Sequence, residues 1–380
     1  MQVVKKSRHG VGLALAIAMA SCAGPGGAIV TSAPPLARTA GSEVTDAPRP
    51  TGARAYALLA NNHLLVADVV SGSVVAELTL AGPATPASIR ALAFSSDGHS
   101  LFVLASEANG RALVAVIDTL ALKLTATFEL DRDLRYRGLA VGARTARLYL
   151  FANRGNDAVV RVLDPGGGIT QEWLARASNG RDWFVYQGDI TRDESALFIS
   201  YHGADTTGID RFEILSTGLA RCSIPSAPES GCFRTHGSFA LFDDQIFAAT
   251  GQPFVTALDS KTGVKRRDYQ LGLEGNHLME FAIDRAAGLF AVGSCGYNRG
   301  LAVADLDSRQ FQVLVVPGQS SAVCGDRISV LENGAVLVVA KTAAPVPALV
   351  PGDLVVLSST GVILRTIRTS AEVVDLLLSR

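Results

Sequence analysis

The chain has 380 residues, 48% of them hydrophobic, 18% charged and only 6% aromatic, with 37 glycines and a formal net charge of −1. That is ample apolar material for a large core. The near-neutral charge, with no Lys/Arg run after the opening residues, argues against a sequence-independent phosphate-binding surface, so nucleic acid is not an expected partner. Richness in small and aliphatic residues without long helical periods points to many short strands joined by tight turns.

The amino terminus carries an address. Lys5, Lys6, Arg8 and His9 form a positive start, Val11 to Ala20 is apolar, and small residues lead into Cys22. The apolar run is shorter than the ~20 residues a spanning helix needs and has the make-up of a secretory signal. Cys22 directly after Ala20 and Ser21 resembles a bacterial lipobox, although Met19 stands where that family usually has Leu. The resemblance implies cleavage before Cys22, so that 1–21 is signal peptide, and acylation of the Cys22 thiol (the palmitate-type modification of a lipoprotein). Several acyl chains on one residue give the multiple anchors that stable membrane attachment requires. Ala23 in place of Asp implies onward sorting where the host has an outer membrane. The expected localisation is the cell envelope, lipid-anchored, on the outer-membrane or periplasmic face or the outer face of the cell membrane.

Residues 22–50 are rich in Pro, Ala, Gly, Ser and Thr and show no apolar periodicity. Such a stretch buries too little surface to fold and is expected to be a disordered tether. Beyond it lie Cys222, Cys232, Cys295 and Cys324, which export would expose to oxidising conditions. Three connectivities are open. Pairing Cys222 with Cys232 and Cys295 with Cys324 is preferred, because each pair falls on neighbouring loops. A metal site is the rival reading, but neither pair has CxxC spacing.

From 51 to 380 the chain repeats a four-strand unit. The unit is clearest at Ile89–Leu130: Ala91 to Phe94, an Asp97-Gly98 hairpin turn, Ser100 to Ala105, Leu113 to Ile117, and the alternating strand Leu124 to Leu130. The turn before the fourth strand is the best ruler. It recurs at Asp68, Asp118, Asp164, Ser216, Asp259, Asp307 and Ser358, at intervals of roughly 43 to 52 residues. Asp, Ser and Gly suit tight turns there, and a period of this length is the signature of a propeller. The unit that opens at Ala55 lacks its first strand, and Val373 to Leu378 supplies one at the other end. The expectation is an all-β, seven-bladed β-propeller whose ring is closed by the C-terminal strand completing blade 1, which leaves no open sheet edge.

Val114 to Thr119, Lys123 to Leu130, and Ala93 to Leu104 resemble the YVTN-type β-propeller repeat. That family includes surface-layer and periplasmic proteins, and its fold neighbours include seven-bladed lactonases. The matching residues are turns and core strands, so the resemblance implies a fold and carries no chemistry.

A site would have to form where first strands line the central channel. Arg137 lies in such a strand, and His202, His236 and His277, three of the six histidines, come from successive units on the same face. A His trio is a candidate zinc or copper set. His236, His277, Glu280 and Arg137 are a candidate catalytic group for hydrolysing a lactone or ester. A polar rim that is simply wet, or that touches a ligand, accounts for the same residues. There is no HExxH, no CxxCH and no GxSxG elbow in a strand-to-helix setting, and no cofactor is expected. The reading is an envelope-anchored binding module for a protein, peptide or glycan, with a lactonase-like hydrolase as the alternative.

Overall fold

The computed structural model describes residues 53–80, 90–106, 111–175, 184–202, 207–216, 218–222, 239–242, 244–249, 254–270, 278–284, 289–294, 300–305, 311–314, 323–331, 335–340, 344–345, 348–349, 352–359 and 361–379. The signal and tether expectations over 1–50 lie outside them. Every regular element among the described residues is a strand.

The first strands are β1 (Arg54–Leu59), β2 (His63–Asp68) and β3 (Val74–Thr79). Next come β4 (Arg90–Phe94), β5 (Ser100–Ser106), β6 (Ala112–Asp118) and β7 (Lys123–Leu130), then β8 (Arg135–Val141), β9 (Leu148–Arg154), β10 (Asp157–Leu163) and β11 (Ile169–Ala175). A third group is β12 (Phe184–Ile190), β13 (Ala196–His202), β14 (Thr207–Leu215) and β15 (Gly218–Cys222), and a fourth is β16 (Phe239–Phe242), β17 (Gln245–Ala249), β18 (Phe254–Asp259) and β19 (Lys265–Gln270). They are followed by β20 (Leu278–Asp284), β21 (Leu289–Ser294), β22 (Gly300–Asp305) and β23 (Phe311–Leu314). The last are β24 (Val323–Val330), β25 (Val336–Ala340), β26 (Ala344–Pro345), β27 (Ala348–Leu349), β28 (Leu354–Leu357), β29 (Ile363–Ile367) and β30 (Val373–Ser379).

The expected seven-bladed ring is corrected in its count of continuous blades. Among the described residues, six four-stranded sheets are each drawn from one stretch of chain: β4–β7, β8–β11, β12–β15, β16–β19, β20–β23, and β24-β25-β28-β29 with the small β26–β27 hairpin inserted. The remaining four-stranded sheet, β3-β2-β1-β30, is composite and joins the two ends of the chain. In it β30 runs antiparallel to β1, Arg54 opposite Ser379 and Leu58 opposite Asp375. A continuous blade needs all four strands between two linkers; the chain opens one strand short, and the C-terminal strand covers the edge of β1 that would otherwise lie bare.

The innermost strands follow one another around the ring, β30 beside β4, then β8, β12, β16, β20, β24 and back to β30. Core lies between sheets. Phe102, Leu104, Val114, Tyr136, Leu148 and Leu150 fill the space between β4–β7 and β8–β11, and Phe151, Val160, Trp173, Ile199 and Phe212 fill the next. Alternation sets this up: along β10, Val159 faces one neighbour and Val160 the other. Outer strands show the half-exposed pattern expected of them, as in β7.

The hairpins joining inner to second strands and third to outer strands lie at one end of the ring. The β1–β2 and β9–β10 turns, and residues 131–134 and 368–372, which lead into β8 and β30, lie at the other, which is the channel mouth.

Candidate functional site at the channel mouth

Among the described residues, inner strands carry one extra residue near the mouth at four places: Arg137 in β8, Tyr186 in β12, Met279 in β20 and Val374 in β30. A bulge bends the strand and re-aims side chains, and bulges are over-represented beside functional sites. The residue after the bulge fastens one inner strand to the next. The Gln187 side-chain amide donates to the Phe239 carbonyl at 3.0 Å while its oxygen accepts the Phe239 N–H at 3.2 Å. Asp375 accepts the Leu92 N–H at 2.7 Å. In β8 that residue is Gly138, where an added Cβ would come 3.5 Å from the Gly188 backbone nitrogen. Buried Asn153 accepts the Val185 N–H at 3.2 Å, again across sheets.

Arg137 is the candidate that the structure describes. Its side chain is half-buried, and its Nε is buried with no hydrogen-bond partner. Burial, and secondarily the charge of Arg135, pull its pKa below the ordinary guanidinium value. Arginine nevertheless stays charged at neutral pH, so a cation sits at the mouth with part of its donor set desolvated and unsatisfied.

Nearby carboxylates are engaged elsewhere. Arg161 is only 3% exposed and binds Asp131 at 2.8 Å and Glu172 at 2.6 Å, and donates to the Tyr136 hydroxyl at 2.8 Å. Arg154 binds Glu172 at 2.8 Å and Asp133 at 3.1 Å. Burial opposes ionisation of Glu172, yet hydrogen bonds from Arg154 and Arg161 hold its pKa below the usual carboxylate range. Burial pushes the Tyr136 hydroxyl up to about 12. This network was not singled out from the sequence; Arg161 inside the apolar strand Ala158 to Leu163 was its signal.

The other candidates are not brought together by any described geometry. Glu280 occupies the place after the bulge in β20, opposite Gly293, and His202 ends β13 opposite Phe184; their side chains lie outside the described residues. His236 and His277 lie outside them altogether, as do Cys22, Cys232 and Cys295. Cys222 ends β15 and Cys324 lies in β24, with side chains also outside. Among the described residues no three His, Cys, Asp or Glu side chains group as metal ligands.

A cavity of about 270 Å³ opens at the opposite end, between the composite sheet and β4–β7, lined in part by Arg54, Tyr56, Ser95, Asp97, His99 and Thr119. Ser95, Asp97 and His99 are not a catalytic triad. The Ser95 hydroxyl donates to Asp97 at 2.6 Å, and Asp97 accepts the His99 backbone N–H at 2.9 Å. The same turn recurs at Thr191, Asp193 and Ser195, where Asp193 accepts the Ser195 N–H and hydroxyl. Repetition in a second sheet marks it as hairpin chemistry.

No protein-family model and no curated protein matches the sequence. Solved structures do match, and at these identities they show the fold alone. A putative 6-phosphogluconolactonase from Bacteroides fragilis aligns with a TM-score of 0.61 at 12% identity, covering 88% of this chain and 100% of that one. The periplasmic gluconolactonase PpgL of Pseudomonas aeruginosa gives 0.58 at 16% identity, covering 86% and 99%. The β-propeller domain of Cps50 (Swd1) from Myceliophteria thermophila gives 0.54 at 14% identity, covering 76% and 88%. The chain is a β-propeller whose structural neighbours include lactonases and WD40-type modules.

Proposed function

We propose that the chain is a ligand-binding propeller of the YVTN type, held at a cell envelope by lipid on Cys22, that takes an anionic group of its ligand at the channel mouth on Arg137. The observation that carries this is the half-buried Arg137 guanidinium with its unsatisfied Nε. A carboxylate or phosphate there would offset the desolvation, and arginine presents a fork suited to both. Inorganic phosphate is the probe. At matched ionic strength it should raise the unfolding midpoint relative to chloride, because a ligand that binds only the folded state stabilises it. Arg137→Ala should abolish that difference. An equal phosphate effect in wild type and variant would refute the site. Membrane fractionation of Cys22→Ala after an alkaline carbonate wash, which strips peripherally docked protein, tests the anchor, which is refuted if the variant stays membrane-bound as wild type does.

A lactonase is the second reading, favoured by the likeness to PpgL and the Bacteroides fragilis protein. Arg137, Glu280, His236 and His277 would form its site, Arg137 polarising the carbonyl. Glucono-1,5-lactone hydrolysis followed by pH-stat should exceed the spontaneous rate and fall at least tenfold in Arg137→Ala and Glu280→Gln. No excess over the spontaneous rate removes the reading.

A further inference from the structure

Val70, Leu120, Ile169, Leu215, Val264 and Val362 are exposed aliphatic residues, and each stands where the third strand of its sheet turns into the outer strand. Val70, Val264 and Val362 expose 68%, 54% and 55% of their surface. The corresponding corner between β22 and β23 is outside the described residues. Of the other exposed large aliphatics among the described residues, Leu174 alone lies away from these corners; the rest open the same outer strands.

Single exposed aliphatics are ordinary on a protein surface. Recurrence at the same corner of every sheet where that corner is described is not ordinary scatter. Turn geometry does not require it. The corners are specified by Asp68, Asp118, Asp164 and Asp259, whose carboxylates accept backbone N–H groups two or three residues on. The aliphatic side chains take no part in that capping, and polar residues would serve the turn equally well.

We infer that this rim, at the end opposite the channel mouth, docks on a lipid bilayer. The corners form a ring at one end of the propeller, and a flat surface is the partner that reaches all of them at once. Each contributes one or two aliphatic side chains, the shallow interfacial contact that a peripheral protein makes with acyl chains. The chain's own layout favours the same occupant. β1 begins at this end, with Arg54 opposite Asp68 at one of the corners, and the sequence preceding it carries the Pro/Ala-rich stretch, Cys22 and the apolar run. The inference rests on the envelope reading for what brings the bilayer near, and it orients the channel mouth away from the membrane.

Hydrogen–deuterium exchange on the full chain, reconstituted with phosphatidylethanolamine–phosphatidylglycerol vesicles and compared with the chain free of vesicles, tests it. Segments 68–75, 118–124 and 358–364 should exchange several-fold more slowly on vesicles, while 131–135 and 154–157 at the mouth stay unchanged. Slowing confined to residues 1–52, or found at the mouth, overturns the inference. So does slowing at the corners that appears without vesicles and grows with protein concentration, which would mean a second copy covers the rim. The combined variant Val70→Ser, Val264→Ser, Val362→Ser should keep the wild-type unfolding midpoint and lose at least half of the slowing; undiminished slowing also overturns it. Failure of the Cys22→Ala fractionation bears on the anchor and leaves this readout independent.

Discussion

Asp375, in the C-terminal strand, accepts the backbone N–H of Leu92 in the first strand of the next sheet at 2.7 Å, and its other oxygen accepts the Leu376 N–H at 2.9 Å. One carboxylate thus ties the composite sheet to β4–β7. Asp375→Ala would leave the Leu92 N–H without that acceptor, at a cost of about 1–3 kcal/mol. Asp375→Asn keeps an acceptor and should cost less. Urea unfolding midpoints decide it: an Ala variant as stable as wild type would show that the tie holds nothing.

Gly188 sits under the ring of Phe151. A Cβ built on Gly188 would lie 2.1 Å from Phe151 Cδ1, inside the hydrophobic contact between β8–β11 and β12–β15. Gly188→Ala therefore overpacks the seam and should lower stability by roughly 1–3 kcal/mol. Phe151→Ala in the same chain removes the ring atoms that the new Cβ would strike, Cγ among them at 2.2 Å, so the double variant should lose less than the sum of the two singles. Simple additivity would mean that the backbone shifts to make room.

Arg161 and Arg154 share Glu172 but not an environment: the Arg161 side chain is 3% exposed and that of Arg154 40%. Arg161→Ala strips the buried Tyr136 hydroxyl and the partly exposed Glu172 and Asp131 of their common partner, and should cost about 1–3 kcal/mol. Arg154→Ala is a surface change and should cost under about 1 kcal/mol. Comparable losses in the two variants, measured by urea unfolding, would contradict the burial argument.

The order of strands was legible because turn chemistry is local. Asp118, Asp164 and Asp259 accept the N–H groups of their own turns, so spacing alone located the corners. The strand exchange was legible for the same reason: a missing first strand at Ala55 and a spare one at Val373 are both visible in the pattern. What escaped depends on neighbours distant in sequence. Arg137 is a candidate from its strand position alone, but its bulge and its unsatisfied Nε come only from the folded neighbourhood, and Gly188 reads as a weak strand position until Phe151 is placed against it. The aliphatic corners were hidden in another way, because Val and Leu at strand ends look like core.

Glu194 links two hairpins and makes the fold sensitive to acid. It adopts φ 57°, a conformation that favours glycine, and its carboxylate accepts N–H groups of Arg144 at 2.6 Å and Thr145 at 2.8 Å and the Tyr149 hydroxyl at 3.2 Å. Burial opposes ionisation, but the bond donated by the Thr145 hydroxyl at 2.6 Å, followed by these others, holds its pKa below the usual glutamate range. Asp193 beside it is pulled down to about 2 by hydrogen bonds from Thr191 and Ser195. Both groups bind a proton more readily unfolded than folded. Their contribution is therefore complete above the unfolded carboxylate pKa of ~4 and is lost as pH falls through the folded values. The urea midpoint should drop between about pH 4 and pH 2. It should drop less in Asp193→Asn and Glu194→Gln, whose side chains no longer titrate, even though each begins less stable at pH 7. An acid slope unchanged in both variants would place the sensitivity elsewhere in the ring, with Asp259 as the next carboxylate to test, since its bond from Arg266 depresses it as well.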